Sequence, residues 1–345
     1  MALNTIEKYL KESEPQNYNF ELEFDEGTEH EKYQKMGSIE RFFVFKATGL
    51  KPKYKYKFTN EYIKAAKKNY PTVVTQQSDC DGCRQEGNSR LIREIYTTLF
   101  DWQQEKGSFR QLNKNIFKCE FGGDTMNSAL HVMNEIVQDI MNKSGNEILK
   151  KGNSNSSIGY ILNLFNDSET SETLMRELCG TQYLEEYLDY YHTIGNFTLV
   201  PEGFNRGRGG NDYWDYALNT LKNKGFGEFE ASNFTSYINW FYLWDYLNED
   251  GSIKPLKISG KYSAAEFVKK AVSLIKRRGV FMITMLRLSY LPEFDIIREA
   301  VFYNSQTIYS GYDDVIEKLK EKLNDNRKAQ QLLEKCRDEI NNIKI

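Results

Sequence analysis

The sequence predicts a mainly α-helical protein with a few short strands, an α+β fold around a bundle-like helical core. Apolar residues recur at helical spacing in several long windows, of which Met126, Leu130, Met133, Val137 and Ile140 form one. Strand-like alternation is confined to short runs, and with only 6 Pro against 23 Tyr and 21 Phe the chain has the means to pack a core. At 345 residues it is long enough for one large domain or two ordinary ones.

The N-terminal part, taken as residues 1–145, opens acidic, from Glu7 to Glu31. From Lys46 to Lys68 the sign reverses, and KPKYKYKF alternates Lys with Tyr54, Tyr56 and Phe58. That period suits an edge strand guarded by Lys, and it also suits stacking platforms for a single-stranded nucleic acid. Phe42 to Phe45 reads as a strand, Thr59 to Asn69 as a helix closed by Pro71, and Arg90 to Gln104 as an amphipathic helix. Asn115 to Phe121 looks strand-like, after which Asp124 reads as the cap of a helix reaching Asn142. The Ser/Asn/Gly tract from Lys143 to Ser157 is the best linker, so a second, helical part is placed at 158–345.

In that second part helices are expected at Ile158 to Phe165, Glu172 to Tyr190, Asp212 to Lys224 (stopped by Gly225), Ser263 to Arg278, Glu293 to Tyr303 and Asp313 to Ile343. The basic run Lys276, Arg277, Arg278 suits a helix C-terminus. FTSYINWFYLWDYL, Phe234 to Leu247, is apolar nearly all round and belongs deep in the core. Asn326 and Gln330 interrupt the stripe of the last helix, which argues against a coiled coil.

Net charge is −3, so no global field draws the chain to nucleic acid or to an anionic membrane. The longest clean apolar run, Gly279 to Leu286, falls well short of a membrane span of about 20 residues. Met1 to Lys11 lacks a signal peptide's pattern, and five Cys, an odd number, fit a reducing compartment; a cytoplasmic protein without membrane contact is expected. Cys80 and Cys83 form a CxxC flanked by Asp79 and Asp81, with no second pair at zinc-finger spacing, so a surface turn is the plainer reading than a metal or redox site.

The chemistry-bearing residues concentrate in HTIGNFTLVPEGFNRGRGGNDYWDYAL, His192 to Leu218. His192 ends a Tyr-rich helix directly before a Gly-Asn turn, where a general base can be placed on a loop held by rigid elements. Asn196 and Asn205 can position a substrate, or hold their own turns by bonding to backbone. Arg206 and Arg208, among glycines ahead of a helix start, suit a phosphate or other anion. Asp212 and Asp215 can ligate a divalent metal such as Mg²⁺ or Mn²⁺, or simply pair with the two arginines. The residues leave open both an enzyme and a non-catalytic binding or interaction protein with a nucleic acid, a phosphate-bearing ligand or a protein as partner.

The segment IGNFTLVP with the later Asn205 is similar to the GNLTLLP and Asn of the His-Asn-His nuclease module of modification-dependent restriction enzymes. Asn196 matches the first Asn and Asn205 the second. The resemblance implies a metal-dependent phosphodiesterase or nuclease relative in phage defence, with the asparagines near a metal. The chain departs from the module upstream, where the His-x-x-Pro that supplies the base is missing, so His192 would have to take that role. Over residues 115–260, GGDTMNSALHVMN together with HTIGNF and DYWD also resembles an uncharacterised bacterial family common in Firmicutes, for which no activity is implied.

Overall fold

The computed structural model describes residues 5–20, 38–39, 90–102, 110–112, 116–127, 129–143, 178, 181–204, 213–255, 263–303, 305 and 307–345. The readings at Phe42 to Phe45, KPKYKYKF, Thr59 to Asn69, the CxxC, the linker tract beyond Lys143, Ile158 to Phe165 and the loop 205–212 lie outside these residues. Within them the protein is mainly α-helical with one two-stranded sheet. The helices are α1 (Thr5–Tyr9), α2 (Arg90–Phe100), α3 (Ala129–Lys143), α4 (Gln182–Tyr191), α5 (Trp214–Asn223), α6 (Phe234–Trp240), α7 (Ala264–Leu288), α8 (Phe294–Arg298), α9 (Tyr312–Lys322) and α10 (Arg327–Asn342). The strands are β1 (Phe121–Thr125) and β2 (Phe197–Pro201).

β1 precedes the linker tract and β2 follows it, yet they pair antiparallel, with Phe121 opposite Pro201 and Thr125 opposite Phe197. The buried apolar residues of both parts form one continuous core. A two-stranded sheet leaves outer edges to be covered: Phe121 pairs with Arg110, N to O at 2.7 and 2.9 Å, and aromatic donors reach further strand carbonyls. Tyr237 Oη donates to Leu199 O (2.7 Å), Tyr96 Oη to Thr198 O (3.3 Å), and Trp102 Nε1 to Phe121 O (3.0 Å). Asp124, expected as a helix cap, is a strand residue of β1 because FGGDT finds its partner in FTLVP, about seventy residues away in sequence. The strand begins at Phe121, where Asn115 to Phe121 was expected to be extended, and α3 starts only at Ala129.

Helix α7 is the central post of the fold. Its N-terminus carries a reciprocal capping box: Ser263 Oγ accepts from Glu266 N (3.3 Å) while Ser263 N donates to Glu266 Oε2 (2.9 Å). The basic run Lys276, Arg277, Arg278 does not end it. VFMITMLRL carries the helix on to Leu288, and Arg278 lies wholly buried at its middle. FTSYINWFYLWDYL is core as expected, although its helix stops at Trp240: Tyr242 adopts a left-handed conformation (φ 59°), and a tight turn over Trp244 to Tyr246 follows. Helix α5 ends where Gly225 takes φ 67°. The last helix expected is two, and the residues that broke its stripe make the joint. Asn326 Oδ1 accepts from Ala329 N (3.1 Å) to cap α10, and Gln330 Nε2 donates to Lys320 O (2.8 Å) and Leu323 O (3.0 Å) at the end of α9.

Candidate functional site

The Gly-Asn turn between α4 and β2 is wedged against α7. A Cβ on Gly195 would overlap Ile275 O and stand 2.8 Å from Gly279 N, so only glycine lets the turn lie on the helix backbone. Across this contact the Arg278 guanidinium reaches back to the turn. It donates through Nη1 to Gly195 O (2.9 Å) and Phe197 O (2.5 Å), and through Nε to Phe241 O (3.0 Å). One cation thereby ties together α7, the start of β2 and the turn after α6, satisfying three buried carbonyls from the turn, the strand and the helix end.

His192 and Asn196 belong to this joint. His192 forms the C-cap of α4, 2% exposed, and its carbonyl accepts from Phe20 N (3.0 Å). Its ring lies against Tyr191, centroids 4.2 Å apart. Asn196 is fully buried; its Nδ2 donates to Tyr191 O (2.8 Å), closing the end of α4, and its carbonyl accepts from Met126 N (2.9 Å), extending the sheet by one rung. Asp215 lies in the first turn of α5, partly exposed, where its Oδ1 accepts from Tyr216 N (2.9 Å). Asn205, Arg206, Arg208 and Asp212 lie outside the described residues, so the geometry at hand joins His192 and Asn196 through backbone and leaves Asp215 on a separate helix.

The strand register adds residues that the sequence reading passed over. Asp124 stands opposite Thr198, so the two share a face of the sheet, and the rung from Met126 to Asn196 puts Asn127 at the same end. All four are buried polar residues. Asp124 Oδ1 accepts from Thr125 N (2.8 Å). Thr198 Oγ1, Asn196 Oδ1 and both polar atoms of the Asn127 side chain are buried without a hydrogen-bond partner. Such atoms carry a desolvation cost of about 1–3 kcal/mol each, which a structural face normally avoids. The signal available in sequence was the Asp-Thr-Met-Asn run itself, but its meaning depended on knowing which segment pairs with FTLVP.

This face is the place to test a divalent metal. Its oxygens, one carboxylate with amide and hydroxyl groups, are of the hard type that Mg²⁺ or Mn²⁺ prefers, but it offers a single carboxylate. Among the described residues no group of three or more His, Cys, Asp or Glu comes together as a ligand set. The two free cysteines described, Cys119 and Cys336, are both buried, and burial pushes each thiol up to about 12, which makes both poor ligands and poor nucleophiles. No described helix is long and apolar enough to cross a membrane. Compared with known proteins, the chain matches no family model, no curated protein and no solved structure.

Proposed function

We propose that this chain is a non-catalytic binding or interaction protein of the cytoplasm that retains, as a scaffold, a frame resembling the nuclease module. One observation carries the reading: the His and Asn that would do the chemistry are buried, the Asn196 amide closes the end of α4 at Tyr191 O, and the His192 and Asn196 carbonyls accept from Phe20 N and Met126 N. A general base must reach its substrate's proton within hydrogen-bond distance, and His192 at 2% exposure is closed to a polymer such as nucleic acid. The partner classes that fit are a phosphate-bearing ligand, a nucleic acid held by its backbone, or another protein.

A second reading is favoured by the unpartnered atoms of Thr198, which stands opposite Asp124, and of Asn196, two residues before it. Here the protein is a metal-dependent phosphodiesterase in phage defence whose base comes from β1 instead of the missing upstream His. A bound metal would supply a polarised water, and Asp124 would hold or accept its proton.

One experiment separates them. Purified protein is incubated with single- and double-stranded DNA and RNA, with and without Mg²⁺ or Mn²⁺, alongside Asp124→Asn and His192→Ala. The binding reading expects no cleavage from any of the three, and a markedly lowered melting temperature for His192→Ala. Metal-dependent cleavage lost in Asp124→Asn at unchanged melting temperature would overturn it in favour of the enzyme.

A further inference from the structure

A cleft of about 420 Å³ runs along the outer side of α7, between the turn at residues 13–17 and α10. It lies within the size range of small-molecule sites. Lys276, Val280, Ile283 and Arg287 line it at helical spacing from one stripe of α7, so an apolar floor separates a cation at each end. At one end the Lys276 ammonium sits 4.1 Å from the centre of the Tyr190 ring, with Glu186 3.7 Å away. At the other end Arg287 has no ion pair among the described residues, and it also borders a second hollow that it shares with Glu7, Lys11 and Tyr290.

Among the described residues none of the nearby acids, Glu7, Glu14 and Glu339, forms an ion pair with Arg287. Glu339 faces Lys335 at 3.5 Å, and Glu14 accepts from Asn17 Nδ2 at 3.2 Å. What remains is a guanidinium fork at the edge of an apolar floor, with an aromatic ring at the far end. A fork of this kind matches a carboxylate or phosphate through two parallel hydrogen bonds, while Val280 and Ile283 suit a hydrocarbon or aromatic body.

We propose that this cleft binds a small organic anion, a carboxylate or phosphate joined to an aromatic or apolar body, with Arg287 holding the anionic group and Tyr190 and Lys276 bordering the body. This gives the binding reading above a ligand class and rests on it, although none of its residues belongs to the β1–β2 face.

The probe is 8-anilinonaphthalene-1-sulfonate, followed by fluorescence on the full chain, with phenyl phosphate, benzoate, inorganic phosphate and neutral benzyl alcohol as competitors. The expected result is saturable binding displaced by phenyl phosphate or benzoate and far less by benzyl alcohol or inorganic phosphate. Arg287→Gln should weaken it by about ten- to hundredfold at unchanged melting temperature, with Arg287→Lys falling between. Should Arg287→Gln prove less stable, Lys276→Gln provides the second variant, with the same direction of effect. Non-saturable binding, equal displacement by benzyl alcohol, or unchanged affinity in the variants overturns the proposal. Metal-dependent cleavage that needs Asp124 would instead remove the binding reading, while leaving the dye titration of this cleft intact.

Discussion

The Gly-Asn joint and the C-terminal hairpin of α9 and α10 are both built from polar residues at turns, yet they tolerate change very differently. In the hairpin, Asn326 and Gln330 cap neighbouring helix ends, and the cross-helix pair Lys320 to Glu334 (2.7 Å) is partly open to water. In the joint, Gly195, Asn196 and Arg278 are sealed from water and each serves two or more elements at once. A polar group lost from the hairpin is replaced by solvent. One lost from the joint leaves a buried partner with nothing to bond to.

The contrast breaks most sharply at Gly195→Ala. The added methyl meets backbone rather than a movable side chain, so unfolding by denaturant should show a loss of about 3 kcal/mol, at the upper end for overpacking. An unchanged midpoint would mean that the turn does not rest on α7. Next comes Arg278→Lys. An ammonium cannot reproduce the fork that serves Gly195, Phe197 and Phe241, so charge is kept while stability falls by about 2 kcal/mol in the same assay. Full stability in this variant would show that charge alone, and not geometry, is what the joint needs.

In the hairpin the effects should be smaller. Asn326→Ala removes the cap on Ala329 N and should cost about 1 kcal/mol, with the loss of helicity confined to the start of α10 when followed by amide exchange. Lys320→Ala should shift stability by no more than about 0.5 kcal/mol, and less still in high salt. If Lys320→Ala rivalled Gly195→Ala, the distinction drawn here between sealed and solvated polar contacts would fail.

How much could be read in advance follows the same division. The amphipathic stripes of α2 and α3 are local patterns, and each helix lies within its stripe, α2 stopping at Phe100 and α3 starting only at Ala129, while the one stripe expected over Asp313 to Ile343 is divided between α9 and α10. The interruptions at Asn326 and Gln330 were visible as well, although as a weakness in one helix rather than the turn between two. The density of His, Asn, Arg and Asp after Tyr191 was equally plain, but density does not distinguish a site from a joint. His192 and Asn196 have the same side chains in either role, and only their surroundings decide between them.

By itself the sequence determined the mainly helical class, the amphipathic helix faces, the core position of Phe234 to Leu247, and the stop at Gly225, because propensity, periodicity and glycine's freedom act over a few residues. Tertiary structure alone decided that Asp124 is a strand residue opposite Thr198, that Gly195 must be bare of a side chain, that Arg278 lies inside a helix it was expected to end, and that Arg287 stands at the edge of a cleft. Each of these depends on a partner roughly seventy or more residues away, or on a cleft shared by several segments. The free energy of such a contact comes from excluding water between surfaces that no local window contains.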